Sequence, residues 1–220
     1  MTARQIVTDL VPVVSPADDV DYALDLMQHA HVAHLAVVAE GKLVGVISEE
    51  ELLNCSNPDL LLADLKMSQN KAFVHQDDHL YEVVKAAVQK KLTIIPVVDA
   101  DDNWVGTITL ETLLQHFAES GSLTEAGSIV VLEMQRNDYS LGTIARITEA
   151  EGVHILSSYI TSKPEENLIE LTLKLDSTEI QRVVATYERF GYGVKAAFDE
   201  SDYLDSLQMR YDTLMSYLAM

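Results

Sequence analysis

Apolar positions between residues 13 and 114 are laid down twice. Val14, Val20, Ala23, Leu24, Met27, Val37 and Val38 recur sixty positions on as Val74, Leu80, Val83, Val84, Ala87, Val97 and Val98. Within the first copy Val20, Ala23, Leu24 and Met27 fall at i, i+3, i+4 and i+7, the spacing of a helix with one buried face, and Asp18 and Asp19 supply capping oxygens ahead of it. Leu80, Val83, Val84 and Ala87 repeat that stripe. Short apolar strands follow at 35–38 and 94–98, each leading into a second strand through a turn, Glu40-Gly41-Lys42 and Asp101-Asp102-Asn103. Leu52 and Leu53, then Leu110, Leu113, Leu114 and Phe117, mark closing helices. Each copy therefore reads as strand, helix, strand, strand, helix. A unit this small cannot bury its apolar face alone, so the copies are expected to pack on each other and to leave a cleft between them.

The pattern changes after residues 119–127, where Ser120, Gly121 and Ser122 read as a linker. Strands at 129–134, 153–160, 168–175 and 194–198 alternate with helices at 141–151 and 178–190, giving β-α-β-β-α-β. Ile169, Leu171, Leu173 and Leu175 alternate with Glu170, Thr172 and Lys174, as a sheet with one wet face requires. This order predicts a ferredoxin-like domain. From Tyr203 onward Leu204, Leu207, Tyr211, Leu214 and Leu218 form one apolar seam on a helix, which docks either on its own domain or on the same helix of a second chain. Two heptads do not decide between them. The chain is read as α+β, with repeats at 1–58 and 59–118, a linker at 119–127, the ferredoxin-like domain at 128–199 and a C-terminal helix at 200–220.

Composition narrows the function. The chain has 220 residues and carries 35 acidic against 15 basic ones, a formal charge of −20. Such a surface repels phosphate backbones and anionic lipid, so neither nucleic acid nor membrane is expected as a partner. Any phosphate site must use local backbone N–H groups and nearby cations such as Lys90 and Lys91. No signal peptide or membrane-length apolar run is legible, which points to the cytoplasm. Cys55 is the single cysteine, so no internal disulfide forms. His29, His31 and His34, and separately His75 and His79, lie close in sequence without a third ligand fixed on one side, and no metal is expected. No nucleophile elbow, P-loop or carboxylate-pair motif is present, so catalysis is not expected.

The hairpins end in matching segments, VGVISEEELL at 44–53 and VGTITLETLL at 105–114. In the first, Gly45, Ser48 and Glu51 follow the order G-h-h-[ST]-x-x-[DE], and in the second Gly106 and Thr109 are followed by Thr112 in the acid's place. With the duplication, these motifs resemble a pair of CBS (cystathionine-β-synthase) domains over residues 1–118. The resemblance implies an adenosine compound, AMP, ADP, ATP or S-adenosylmethionine, held between the repeats as a regulatory ligand. It assigns Ser48 to phosphate, Glu51 to the ribose, and His34, Ala36, Val37, Ile95 and Pro96 to the surroundings of the base, with Thr109 the hydroxyl of a second cleft. The assignment has a physical basis: a hydroxyl at a helix N-terminus sits where phosphate is favoured, and glycine lets backbone approach closely. Ser48 and Thr109 are equally suited to be plain N-caps.

The second half resembles an ACT domain, on Leu141, Ile144 and Ile147 followed by Glu151-Gly152-Val153-His154-Ile155. It has Arg136-Asn137-Asp138-Tyr139-Ser140 where that family's ligand loop carries an Asp-x-Pro-Gly turn. The resemblance therefore implies dimerisation or coupling more than amino-acid binding. The whole order is similar to acetoin-utilisation-type regulatory proteins of bacteria. Expected from it are a homodimer and an unidentified protein target. The alternative is a structural or oligomerisation module with degenerate clefts.

Overall fold

A computed structural model describes residues 1–65, 72–120, 122–163 and 167–199, and the tail helix expected beyond 199 lies outside these. Two compact units are present, Met1–Phe117 and Ala118–Met220.

In the first unit, α1 (Val20–Ala30), β1 (His34–Ala39), β2 (Lys42–Ser48) and α2 (Glu49–Leu53) form one repeat; β3 (Val74–His75), α3 (Leu80–Lys90), β4 (Ile94–Val98), β5 (Trp104–Thr109) and α4 (Leu110–Ser120) form the other. Of the two capping aspartates, Asp19 accepts from the Tyr22 N–H at 2.8 Å, while Asp18 instead takes the Ser15 N–H at 2.6 Å and fixes the turn before the helix. Each hairpin is antiparallel, with matching irregularities at Val37/Val38 and Val97/Val98. The opening strand expected in each copy is nearly absent. It shrinks to a single parallel bridge, Val14 to Val37, in the first repeat and to Val74–His75 in the second. Pro12 and Pro16 flank Val14 and cannot donate to a ladder, which leaves no room for a longer strand there.

The cores follow the sequence pattern, with an exchange. Val20, Ala23, Met27, Leu35, Val37, Ile47 and Leu52 are buried together in the first repeat, and Leu80, Val83, Ala87, Ile95, Val97 and Ile108 in the second. Burying each large side chain contributes roughly 1.5–3 kcal/mol. Ala3 and Ile6, at the start of the chain, belong to the second core, tied there by Ala3 N–H to Asp78 C=O at 2.8 Å and Thr8 N–H to Thr107 C=O at 2.8 Å. Leu62, which follows the first copy, returns to the first core, with its N–H on Asp18 C=O at 2.9 Å. Packing therefore crosses the sequence boundary at 58/59. The ends of each sixty-residue copy do not fold only onto that copy.

The second unit contains β6 (Ser128–Gln135), α5 (Leu141–Ala150), β7 (Ile155–Lys163), β8 (Leu168–Leu175), α6 (Gln181–Arg189) and β9 (Gly193–Phe198). Its sheet runs β7-β8-β6-β9, every neighbour antiparallel, the order of a ferredoxin-like domain. Ile169, Leu171, Leu173 and Leu175 face the helices, whose Ile144, Ile147, Val183 and Tyr187 complete the core. The buried Tyr187 hydroxyl is bonded to Thr148, and Thr148 in turn donates to Ile144 C=O at 2.9 Å, so no polar group is stranded where α5 meets α6.

Candidate functional site

A cleft of about 530 Å³ opens in the first unit, lined by Ala33, His34, Ser48, Glu49, Glu50, Glu51, Asn54, Lys90 and Lys91. Three of the residues singled out by sequence, His34, Ser48 and Glu51, meet there, and the two lysines join them from the end of α3. A larger cavity of about 680 Å³ adjoins it along α1 and α2, but its wall carries Asp21, Asp25 and Glu49 with no lysine or arginine among the described residues that line it. The cleft sets Lys90 and Lys91 against Glu49, Glu50 and Glu51, so it is the better host for an anion.

Local structure explains each position. Ser48 ends β2 and caps α2: its hydroxyl accepts the Glu51 N–H at 3.2 Å. Glu51 Oε2 returns the bond, accepting from the Ser48 N–H at 2.9 Å and from its hydroxyl at 2.7 Å. This reciprocal capping box stabilises a helix of only five residues, and it engages the carboxylate oxygen nearest the motif's backbone. Lys91 sits at the C-cap of α3 with φ 53°, a left-handed conformation that costs a side-chain-bearing residue about 1–2 kcal/mol. His31, its counterpart after α1, has φ 54°.

His34 is anchored across the pair. Its Nδ1 lies 3.0 Å from the Thr93 hydroxyl and 3.3 Å from the Thr93 N–H, and the same hydroxyl accepts the Ala33 N–H at 3.1 Å. Burial pushes the imidazole below its ordinary value of 6.5, while the Glu51 carboxylate pulls the other way. The ring is therefore neutral at physiological pH.

The remaining sequence-assigned residues stand elsewhere. Ala36 and Val37 are 1% and 0% exposed in the first core, Ile95 is 0% exposed in the second, and Pro96 is buried on β4. None of these four lines the cleft. Thr109 caps α4, accepting the Thr112 N–H at 3.0 Å, with the two hydroxyls 2.9 Å apart. The glycine of that second motif admits the protein's own chain: a Cβ on Gly106, whose φ is +156°, would stand 2.1 Å from Val7 Cγ1. Thr93 was not marked by sequence. Its bond to Ala33 joins positions 60 apart, and no local periodicity reports such a contact.

Among the other candidates, His79 caps α3 through Nδ1, His29 lies beside Asp25, and among the described residues no three metal-ligating side chains come together. Among the described residues no helix is long and apolar enough to cross a membrane.

The CBS domain matches residues 3–57 and again 62–119. A CBS domain pair/ACT domain protein from Thermotoga maritima superposes with a TM-score of 0.50 at 25% identity, covering 54% of this chain and 98% of that one. An uncharacterized protein of Methanopyrus kandleri is 29% identical over 101 residues, 44% of this chain and 52% of the relative. An inosine-5'-monophosphate dehydrogenase of Korarchaeum cryptofilum is 25% identical over 177 residues, 77% of this chain and 35% of the relative. The chain thus spans about a third to about half of the length of these two curated relatives.

Proposed function

The chain belongs to the CBS domain family, and from that footing we propose that it is a non-catalytic regulatory protein of the cytoplasm whose CBS pair senses an adenosine nucleotide. The observation that carries this reading is the convergence of Ser48, Glu51, His34, Lys90 and Lys91 on one cleft. In a protein of net charge −20, two adjacent lysines facing a helix start give the local cations that a phosphate needs. Glu51 takes the ribose, and phosphate lies toward Ser48 and the lysines. With Ala36, Val37, Ile95 and Pro96 buried, the base contacts the cleft wall near Ala33 and His34 rather than the strand interiors.

Binding regulates only if the nucleotide has a higher affinity for one arrangement of the repeats than for another. The second unit, an ACT-like domain in this reading, and the C-terminal helix supply a homodimer and pass the change to a protein target. Thermal melts with AMP, ADP, ATP and S-adenosylmethionine test the proposal. A ligand at 100 times its Kd adds about 2.7 kcal/mol of stability, a shift of several degrees. No shift with any of the four at millimolar concentration sinks it.

A structural module is the second reading, and two observations favour it. The Ser48–Glu51 capping box and the Val7–Gly106 contact give both motifs a role in folding without any ligand.

A further inference from the structure

Thr93 and Ala33 stand at equivalent places, each just ahead of the first long strand of its repeat, and a chain of hydrogen bonds runs through them. The Glu49 N–H, at the start of α2, reaches Ala33 C=O at 2.9 Å, and the Leu110 N–H, at the start of α4, reaches Thr93 C=O at 3.3 Å. Between these the Ala33 N–H donates to Thr93 Oγ1 at 3.1 Å. That hydroxyl keeps one proton to give, and His34 Nδ1 is 3.0 Å away. The Thr93 backbone N–H, 3.3 Å from the same nitrogen, can only donate.

Two donors therefore converge on Nδ1, which must be the bare, accepting nitrogen. A neutral imidazole with a bare Nδ1 carries its proton on Nε2. Among the described residues no hydrogen bond engages Nε2, and the ring lines the cleft.

We propose that Thr93 is a positioning residue that fixes what the cleft accepts: by holding His34 as the Nε2–H tautomer it makes the imidazole a donor, so the ligand must present an acceptor there. A ring nitrogen of a purine or a phosphate oxygen meets that demand; an amino or hydroxyl hydrogen does not. The proposal rests on the nucleotide reading of the cleft for its ligand, and on hydrogen-bond geometry alone for its tautomer.

The test separates the two. Long-range proton–nitrogen NMR on the ¹⁵N-histidine-labelled full chain at pH 7.5 should show His34 with protonated Nε2 and bare Nδ1. Thr93→Val removes the hydroxyl at nearly constant volume and leaves only the longer 3.3 Å backbone N–H on Nδ1, so the share of the Nδ1–H tautomer should rise measurably above that of the wild type, while Thr93→Ser restores the Nε2–H form. In titrations with AMP, Thr93→Val and His34→Asn should each weaken binding by about three- to tenfold, the effect of one lost hydrogen bond. His34→Gln, whose amide places a donor near the Nε2 position, should bind within about twofold of the wild type, the residual effect of a preserved hydrogen bond. A protonated Nδ1 in the wild type overturns the proposal, as does an unchanged tautomer in Thr93→Val. Equal binding by His34→Asn and His34→Gln overturns it for the ligand. Absence of AMP binding with the tautomer as assigned overturns the nucleotide reading and supports the hold of Thr93 on His34.

Discussion

Glu51 holds two duties at one carboxylate. Its Oε2 closes the capping box of α2, and the same group is the acid assigned to a ribose. The two duties separate by substitution. Glu51→Ala removes both: stability should fall by the worth of a cap, about 1 kcal/mol, and the nucleotide-induced rise in melting point should be lost. Glu51→Gln still accepts the Ser48 N–H, so stability should hold while the shift is lost with the charge. Thr112→Ala should hardly change the shift. Equal loss of the ligand effect in Thr112→Ala and Glu51→Ala would refute the site assignment. His34 makes a pH prediction of fixed sign. Its value in the folded chain lies below the ordinary 6.5, so under acid conditions the unfolded chain binds the proton first. The stability that the neutral ring maintains is fully present above 6.5 and drains away as pH falls through the lowered value. The melting point of the wild type minus that of His34→Gln should therefore rise with pH toward 6.5 and stay level above it.

The elements owe their form to the apolar pattern and their partnership to the exchange of chain ends. Ala3–Ile6, a turn of 3₁₀ helix, would expose Ile6 were it not laid on the second core. Gly106 makes the approach possible, since any Cβ there meets Val7. Gly106→Ala should cost about 1–3 kcal/mol, the usual price of overpacking, read from chemical denaturation. Val7→Ala removes the clashing methyl, so the double variant should lose less than the sum of the two single variants, and strict additivity would show that Val7 does not set the requirement. The brevity of α2 has a related cause. After Leu53 the chain turns at Asn54 toward Pro58 and brings Leu62 back into the first core, whereas α4 faces no such return and runs to Ser120.

At the scale of the molecule, a strongly acidic chain divides into a CBS pair and a four-stranded sheet backed by two helices. The charge favours solubility and leaves Lys90 and Lys91 as a local exception within the cleft. Assembly is the property to measure at this scale. The seam of Leu204, Leu207, Tyr211, Leu214 and Leu218 lies outside the described residues, and we propose that it makes the dimer contact. Light scattering should give the full chain as a dimer and a chain ending at Asp199 as a monomer. An unchanged mass after truncation would place the dimer contact on other surfaces.

The amino-acid order by itself determined the elements and their class, because helix and strand periods are local: the stripe from Val20 to Met27, its copy from Leu80 to Ala87, and the alternation from Ile169 to Leu175 each specify a buried face without reference to the rest of the chain. It also marked Ser48, Glu51 and His34, which meet in one cleft. Only the tertiary structure decided that Val37 and Ile95 serve the cores, that the chain's first residues complete the second repeat, and that Thr93 sets the orientation of His34. The contacts of the chain's first residues and of Thr93 join positions about sixty or more apart, and many segments of equal hydrophobicity could satisfy the same local pattern. Which of them does so is fixed by the joint packing of both repeats.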